Sequence, residues 1–145
     1  MASTLVSPHI QTWAGHGLTI TVTVTMRRSR RAALSLSGEL DLASAPLLRA
    51  CLENQLDTGR RYTRVDLSAV TFVDLAGLTA LLTAHEAYQQ RHGKLVLVAL
   101  SPSVQRLVSL VGAEDELLIS RDRDVVDSGQ AQPKADGGTG LRLMQ

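Results

Sequence analysis

Three aspartates are the residues of this chain best suited to acid–base chemistry: Asp41, Asp66 and Asp74. Each lies at a predicted strand end or in a predicted loop. Two carboxylates that meet in a fold can divide the roles of general acid and general base between them. A structural role is the simpler interpretation, because Asp74 directly precedes a helical repeat that it can cap and Asp66 ends a predicted strand. We therefore predict no catalytic residues.

The other reactive side chains form no catalytic or metal-binding pattern. The sequence has no glycine-rich phosphate loop, no G-x-S-x-G turn and no cysteine–histidine set with metal-ligand spacing. The one cysteine, Cys51, lies among leucines at helical spacing, which predicts a buried and inert thiol. His85 falls within an apolar helical stripe and is predicted at the edge of the core. We expect no metal, no cofactor and no enzymatic activity.

Charge and hydropathy argue against nucleic acid and membrane partners. The net charge is +1, so the charge of the whole chain favours binding neither to nucleic acid nor to an acidic membrane surface. Four arginines crowd residues 26–31, and their place between two predicted strands favours a solvated hairpin connection over a phosphate site. No segment reaches the ~20 apolar residues of a membrane helix, and no secretion signal is visible. We expect a soluble cytoplasmic protein.

The elements that would position these residues follow from the spacing of apolar side chains. The predicted strands cover residues 18–25, 32–37, 62–67, 94–100 and 117–120. The predicted helices cover residues 45–58 and 75–91, and a third lies between Ser101 and Gly112. Strands that alternate with helices indicate parallel crossover units after an opening hairpin. The predicted fold is a single α/β domain, with a mixed sheet of four to five strands and helices packed against it.

The predicted domain covers residues 18–120. Residues 1–17 show no clear period and contain one proline and two glycines, so we predict a flexible N-terminal arm. The apolar period also ends after Arg121, where glycine, glutamine and proline dominate, and we predict a disordered C-terminal tail over residues 121–145.

The start of the second predicted helix is the segment with the most functional content. Asp74 is a good N-cap, because its carboxylate can accept hydrogen bonds from the free N–H groups of the first turn. Leu75, Ala76 and Gly77 would then lie at the positive end of the helix dipole, which favours an anion or an acceptor group of a partner.

Three segments of the sequence form a familiar set of motifs. They are G-E-L-D-L-A-S-A-P over residues 38–46, V-D-L-S-A-V-T-F-V-D-L-A-G-L over residues 65–78, and S-P-S-V-Q-R-L-V-S-L-V-G over residues 101–112. Together these segments resemble the STAS domain, and more narrowly the bacterial anti-sigma-factor antagonists. The resemblance covers residues 18–120. It implies a module that binds an anti-sigma factor with a histidine-kinase-like ATPase fold and so frees the sigma factor.

The resemblance also implies a phosphorylation switch that this chain lacks at the expected position. In that family the anti-sigma factor phosphorylates the serine or threonine directly before the glycine of an Asp-x-Ser-Gly motif. Here the motif is Asp74-Leu75-Ala76-Gly77, and alanine has no hydroxyl to accept a phosphate. Asp41 and Asp74 match the acidic positions of the family around that site.

A partner-binding surface is predicted on the second helix beside its N-terminus. Ala76, Ala80 and Thr83 have small side chains. Helical geometry predicts that they lie on the face opposite the leucines that pack into the core. A partner could then approach the helix closely, with Leu75 as an apolar anchor. On this interpretation, Ala80→Arg leaves folding intact and abolishes binding.

Three functions are compatible with this pattern. The first is an antagonist that binds its anti-sigma factor constitutively. The second is a scaffold that assembles with other STAS proteins without being switched. The third is a sensor that binds a small ligand or nucleotide at the helix N-terminus, although the sequence has no glycine-rich phosphate loop.

Overall fold

A computed structural model describes residues 9–25 and 29–120. The strands are β1 (His9–Gly15), β2 (Leu18–Val24), β3 (Arg31–Leu40), β4 (Tyr62–Val73), β5 (Lys94–Val98) and β6 (Leu118–Ser120). The helices are α1 (Ala45–Asp57), α2 (Leu75–Gln90) and α3 (Pro102–Val111). The predicted tail at 121–145, residues 1–8 of the predicted arm and residues 26–28 of the arginine run lie outside the described residues.

The described strands form one mixed sheet in the order β1-β2-β3-β4-β5-β6. The pairs β1–β2 and β2–β3 are antiparallel, and the three pairs from β3 to β6 are parallel. This arrangement confirms the α/β class and the crossover units. The predicted count of four to five strands is wrong, because the structure adds β1.

Strand β1 lies inside the region predicted as a flexible arm, so that prediction is wrong for His9–Gly15. The strand pairs with β2 along its whole length, from His9 opposite Val24 to Gly15 opposite Leu18. His16 and Gly17 form the two-residue connection, both with positive φ (54° and 82°), as tight hairpin turns that match the twist of the strands require. Backbone pairing, rather than an alternating apolar pattern, therefore defines this strand.

Strand β4 is six residues longer than predicted because it contains two irregularities. Ser35 pairs with Asp66, whereas Ser37 pairs with Ala69, so β4 gains one residue there. A second extra residue lies between the partners of Gly38 and Glu39. Each extra residue reverses which alternate side chains of β4 face the core. The regular alternation of buried and exposed residues therefore stops after Leu67, although the strand continues to Val73.

The core lies between one face of the sheet and the helices, and apart from Tyr88 its buried apolar residues are aliphatic or cysteine. Leu18, Ile20 and Val22 of β2 are buried, while the threonines between them are exposed or half-buried. Tyr88 is buried on α2 and its hydroxyl shares a hydrogen bond of 2.8 Å with Thr63. The prediction that Cys51 is buried is confirmed, and burial raises the pKa of its thiol to about 12.

The helix boundaries are close to those predicted. The Ser101 side chain accepts a hydrogen bond from the Val104 N–H (3.3 Å) and caps the start of α3. The helix ends at Val111, and Gly112 follows as its C-cap in the left-handed conformation. Helix α2 ends at Gln90, one residue before the predicted end. In the described part of the chain no helix has the length and apolar content needed to cross a membrane.

Candidate functional site

The start of α2 and the connection between β3 and α1 meet at one end of the sheet, and Asp74 holds them together. Its Oδ1 accepts a hydrogen bond from the Gly77 N–H (2.9 Å), which confirms the predicted N-cap. Its Oδ2 accepts a hydrogen bond from the Leu42 N–H (3.2 Å). The carboxylate therefore joins two segments that are 32 residues apart, with one oxygen bonded to each.

Asp41 organises the connection itself. Its Oδ1 accepts from the Ser44 N–H at 3.0 Å, and the Asp41 N–H donates to the Ser44 Oγ at 3.0 Å. The Ser44 hydroxyl also lies 2.8 Å from the Glu39 carbonyl oxygen, to which it donates. These reciprocal bonds close a tight turn after β3, as in a capping box, and so set the position of Leu42.

Gly77 is required by packing. A Cβ atom at this position would overlap the carbonyl oxygen and carbonyl carbon of Leu40, the last residue of β3. The Asp74 N–H donates to the same Leu40 oxygen at 3.2 Å. The first turn of α2 is therefore held against the end of β3, and only glycine permits this approach.

Asp66 lies away from this cluster. It does not end its strand, as the sequence suggested, but pairs with Ser35 and Val98 in the middle of the sheet. Its Oδ1 accepts from the Ser68 N–H at 2.8 Å. The structure thus brings Asp41 and Asp74 to the same end of the sheet and leaves Asp66 out, and both of the former bind backbone groups. Within residues 9–25 and 29–120, no cluster of three or more potential metal ligands is present.

Exposed apolar side chains surround the cap. Leu42 is 74% exposed, Leu75 is 60% exposed and Phe72 is 49% exposed. Leu42 is bonded to Asp74 through its N–H, and Phe72 and Leu75 lie within two residues of Asp74 in the chain. Ala76 is half-buried beside them. We call Leu42, Phe72, Leu75 and Ala76 the tip surface; exposed apolar side chains gathered at one end of a fold are candidates for a protein-binding site.

Leu75 and Ala76 are predicted site residues, whereas Leu42 and Phe72 were not predicted from the sequence. The position of Phe72 along β4 could have indicated its exposure, because the buried residues of this stretch are Leu67, Val70 and Val73. A phenylalanine outside that series points away from the core. Leu42 gave no periodic signal, since it lies in a turn whose shape depends on the hydrogen bonds of Asp41.

The predicted partner face of α2 is wrong at Ala80. This residue is 1% exposed, and Gly77 is also buried. The buried arc is wide because α2 packs against α1, α3, β4 and β5. The exposed side of α2 instead carries Leu75, Thr79, Thr83 and Glu86. Thr83 therefore remains a candidate for partner contact, whereas Gly77 and Ala80 can act only through the fold.

A family model identifies the domain that carries this site. The model of the STAS domain matches residues 23–126, which is more than half of the chain. The chain belongs to the STAS domain family. The matched region overlaps the domain that the sequence predicted.

Relatives of this STAS chain are named for a regulatory role. It is 29% identical over 98 residues to the anti-sigma-B factor antagonist of Listeria monocytogenes, a match that covers 68% of this chain and 86% of the relative. An anti-sigma factor antagonist from Mycobacterium paratuberculosis shares the fold with a TM-score of 0.60 and 23% identity, covering 85% of this chain and 93% of that chain. SpoIIAA in its unphosphorylated form gives a TM-score of 0.63 at 17% identity, covering 79% and 99%.

Because Asp74 accepts two hydrogen bonds, one through each carboxylate oxygen, two substitutions at this position should have different effects on stability. Asp74→Ala removes both acceptors and should lower the free energy of unfolding by about 1–2 kcal/mol, the usual cost of losing an N-cap. Asp74→Asn keeps one oxygen for the Gly77 N–H and should cost less than about 0.5 kcal/mol. Urea unfolding followed by circular dichroism compares the two. Equal losses for both variants would contradict the capping role.

Proposed function

We propose that this STAS protein is an anti-sigma-factor antagonist that binds its partner through the tip surface and cannot be released by phosphorylation at residue 76. The partner we propose is a cytoplasmic anti-sigma factor with a histidine-kinase-like ATPase fold. The observation that carries the proposal is the half-buried Ala76 next to the exposed Leu75. The resemblance of the Asp74-Leu75-Ala76-Gly77 motif to that of the family assigns Ala76 to the acceptor position.

The chemistry of the tip surface supports binding without a switch. Both oxygens of Asp74 accept backbone hydrogen bonds, which satisfies much of the hydrogen-bonding capacity of this charge, while Leu42, Phe72 and Leu75 offer apolar contact area. A phosphate at residue 76 would add nearly two negative charges beside Asp74 and oppose docking by desolvation and like-charge repulsion. Alanine excludes that event at this residue.

The named relatives support the regulatory part of the proposal. The Listeria protein is called an antagonist of an anti-sigma factor, and SpoIIAA is an antagonist whose structure is described as that of its unphosphorylated form. We infer the same class of partner for this chain, and a role as a binding protein rather than an enzyme.

Restoring the hydroxyl tests the missing switch. The chain and its Ala76→Ser variant are incubated with ATP and each purified histidine-kinase-like anti-sigma factor of the same organism. We expect both proteins to bind one of these partners. We expect phosphate at residue 76 only in the variant, together with loss of its binding after phosphorylation, measured by mass spectrometry and calorimetry.

Nearby hydroxyl groups provide the control. Thr79 is exposed one turn from Leu75, and its hydroxyl donates to the Leu75 carbonyl oxygen at 2.7 Å. Phosphate on Thr79, Thr71 or Ser68 of the unaltered chain, followed by release of the partner, would overturn the constitutive part of the proposal. A Thr79→Ala variant then shows whether this residue is the acceptor.

A further inference from the structure

The outer edge of β1 has no strand beside it among the described residues. The sheet begins with β1, whose paired neighbour is β2. The register between them runs through all seven residues without interruption. In a regular antiparallel strand, alternate residues direct their N–H and C=O groups away from the paired neighbour. The outer side of β1 therefore presents a row of backbone N–H and C=O groups that no described strand pairs with.

This edge lacks the features that normally prevent strand pairing. Exposed edges are usually short, charged or interrupted by proline. The sequence of His9–Gly15 is H-I-Q-T-W-A-G, with no aspartate, glutamate, lysine, arginine or proline. The opposite edge of the described sheet, β6, has only three residues. Of the two edges, β1 is therefore the one that can accept another strand over a useful length.

The side chains of β1 are compatible with pairing to a copy of themselves. Ile10, Thr12 and Ala14 lie on the open face of the sheet, because their partners in β2 are threonines on that face. Ile10 is 62% exposed. Trp13 lies on the core side opposite Ile20 and is half-buried. Because the strand carries no fixed charge, a symmetric pair places no like charges opposite each other.

We propose that β1 pairs antiparallel with β1 of a second copy of this chain, about a two-fold axis at Thr12. This register uses all seven residues of each strand and is isologous, so the two copies contribute the same surface. It places Ile10 opposite the partner's Ala14, and Trp13 opposite the partner's Gln11. The two six-stranded sheets become one continuous sheet. The tip surface plays no part in this contact, so the inference is independent of the proposed function.

Trp13 makes the contact measurable, because it is the one tryptophan of the chain. Sedimentation equilibrium of the full chain over about 5 to 500 µM, a range that reveals weak symmetric contacts, should show the mass rising from one chain to two. Tryptophan emission should shift to shorter wavelength over the same range, because pairing removes the indole from water. A single-chain mass at every concentration would overturn the proposal.

Substitutions then locate the contact. Thr12→Lys sets two ammonium groups against each other at the two-fold axis and should weaken the dimer by roughly tenfold or more. Thr19→Lys makes the same change at an exposed position of β2, which is not an edge strand, and should leave the dimer intact. Circular dichroism checks that both variants fold.

A second edge variant covers the case in which Thr12→Lys does not fold. Ile10→Lys changes an exposed side chain away from the axis and should also weaken the dimer, with loss of the emission shift. A dimer that survives Thr12→Lys or Ile10→Lys in folded protein, or that is lost with Thr19→Lys alone, would place the contact elsewhere and overturn the proposal.

Discussion

Ala80→Arg is expected to unfold the protein or to remove most of its stability. The side chain at this position is 1% exposed, and the buried arc of α2 gives a guanidinium no access to water. Burying an unpaired charge and overfilling a packed core should each cost several kcal/mol, a large share of the roughly 5–15 kcal/mol that stabilises a domain of this size. Urea unfolding at neutral pH, with circular dichroism as the signal, measures the loss.

The same substitution three residues later provides the control. Thr83 is exposed on α2, so Thr83→Arg should change the free energy of unfolding by no more than about 0.5 kcal/mol. If Ala80→Arg and Thr83→Arg unfold at the same urea concentration, Ala80 is not in the core and the orientation of α2 is wrong.

Leu75→Asp is expected to abolish partner binding while leaving the fold intact. Leu75 is 60% exposed in the first turn of α2, so an aspartate there meets water rather than the core. The helix N-terminus also tolerates an acidic side chain. For an apolar anchor, the loss should raise the Kd for the anti-sigma factor by roughly 30- to 100-fold, or about 2–3 kcal/mol. Calorimetric titration with the anti-sigma factor that binds in the Ala76→Ser experiment gives the value.

The matched control uses an exposed leucine of another helix. Leu110 is 78% exposed on α3, and Leu110→Asp makes the same change in size and charge outside the tip surface. We expect partner binding within about twofold of the unaltered chain, as for a residue outside a binding hot spot. Binding that is insensitive to Leu75→Asp, or equally sensitive to both variants, would show that the tip surface is not the docking site.

The sequence predicted the helices well because their signals are local. Asp74 and Ser101 cap α2 and α3 through bonds to residues three positions later, so the sequence contains both members of each pair. Whether Ala80 faces the core or the solvent depends instead on elements that are far from it in the sequence. A stripe of leucines locates the centre of a buried arc but not its width, and α2 has neighbours on several sides. Small residues at the edge of that arc are buried because packing is close there.

The strands show the same limit. Regular alternation located β2, but the two extra residues of β4 change the phase of burial at positions fixed by its pairing with β3. Strand β1 carries little apolar signal and becomes ordered through its backbone bonds to β2. Leu42 joined the candidate site only through its bond to Asp74, 32 residues away. None of these partners can be assigned from one segment alone.

The close approach of Gly77 to Leu40 has a kinetic consequence. The first turn of α2 packs directly against the end of β3, and the Asp74 carboxylate joins it to the turn that contains Leu42. The backbone that carries Leu42 and Leu75 is therefore held in place before a partner binds. Little backbone freedom is then lost on association, so encounter need not wait for a loop to rearrange. Differences in residence time, rather than in the rate of capture, should therefore distinguish good partners from poor ones.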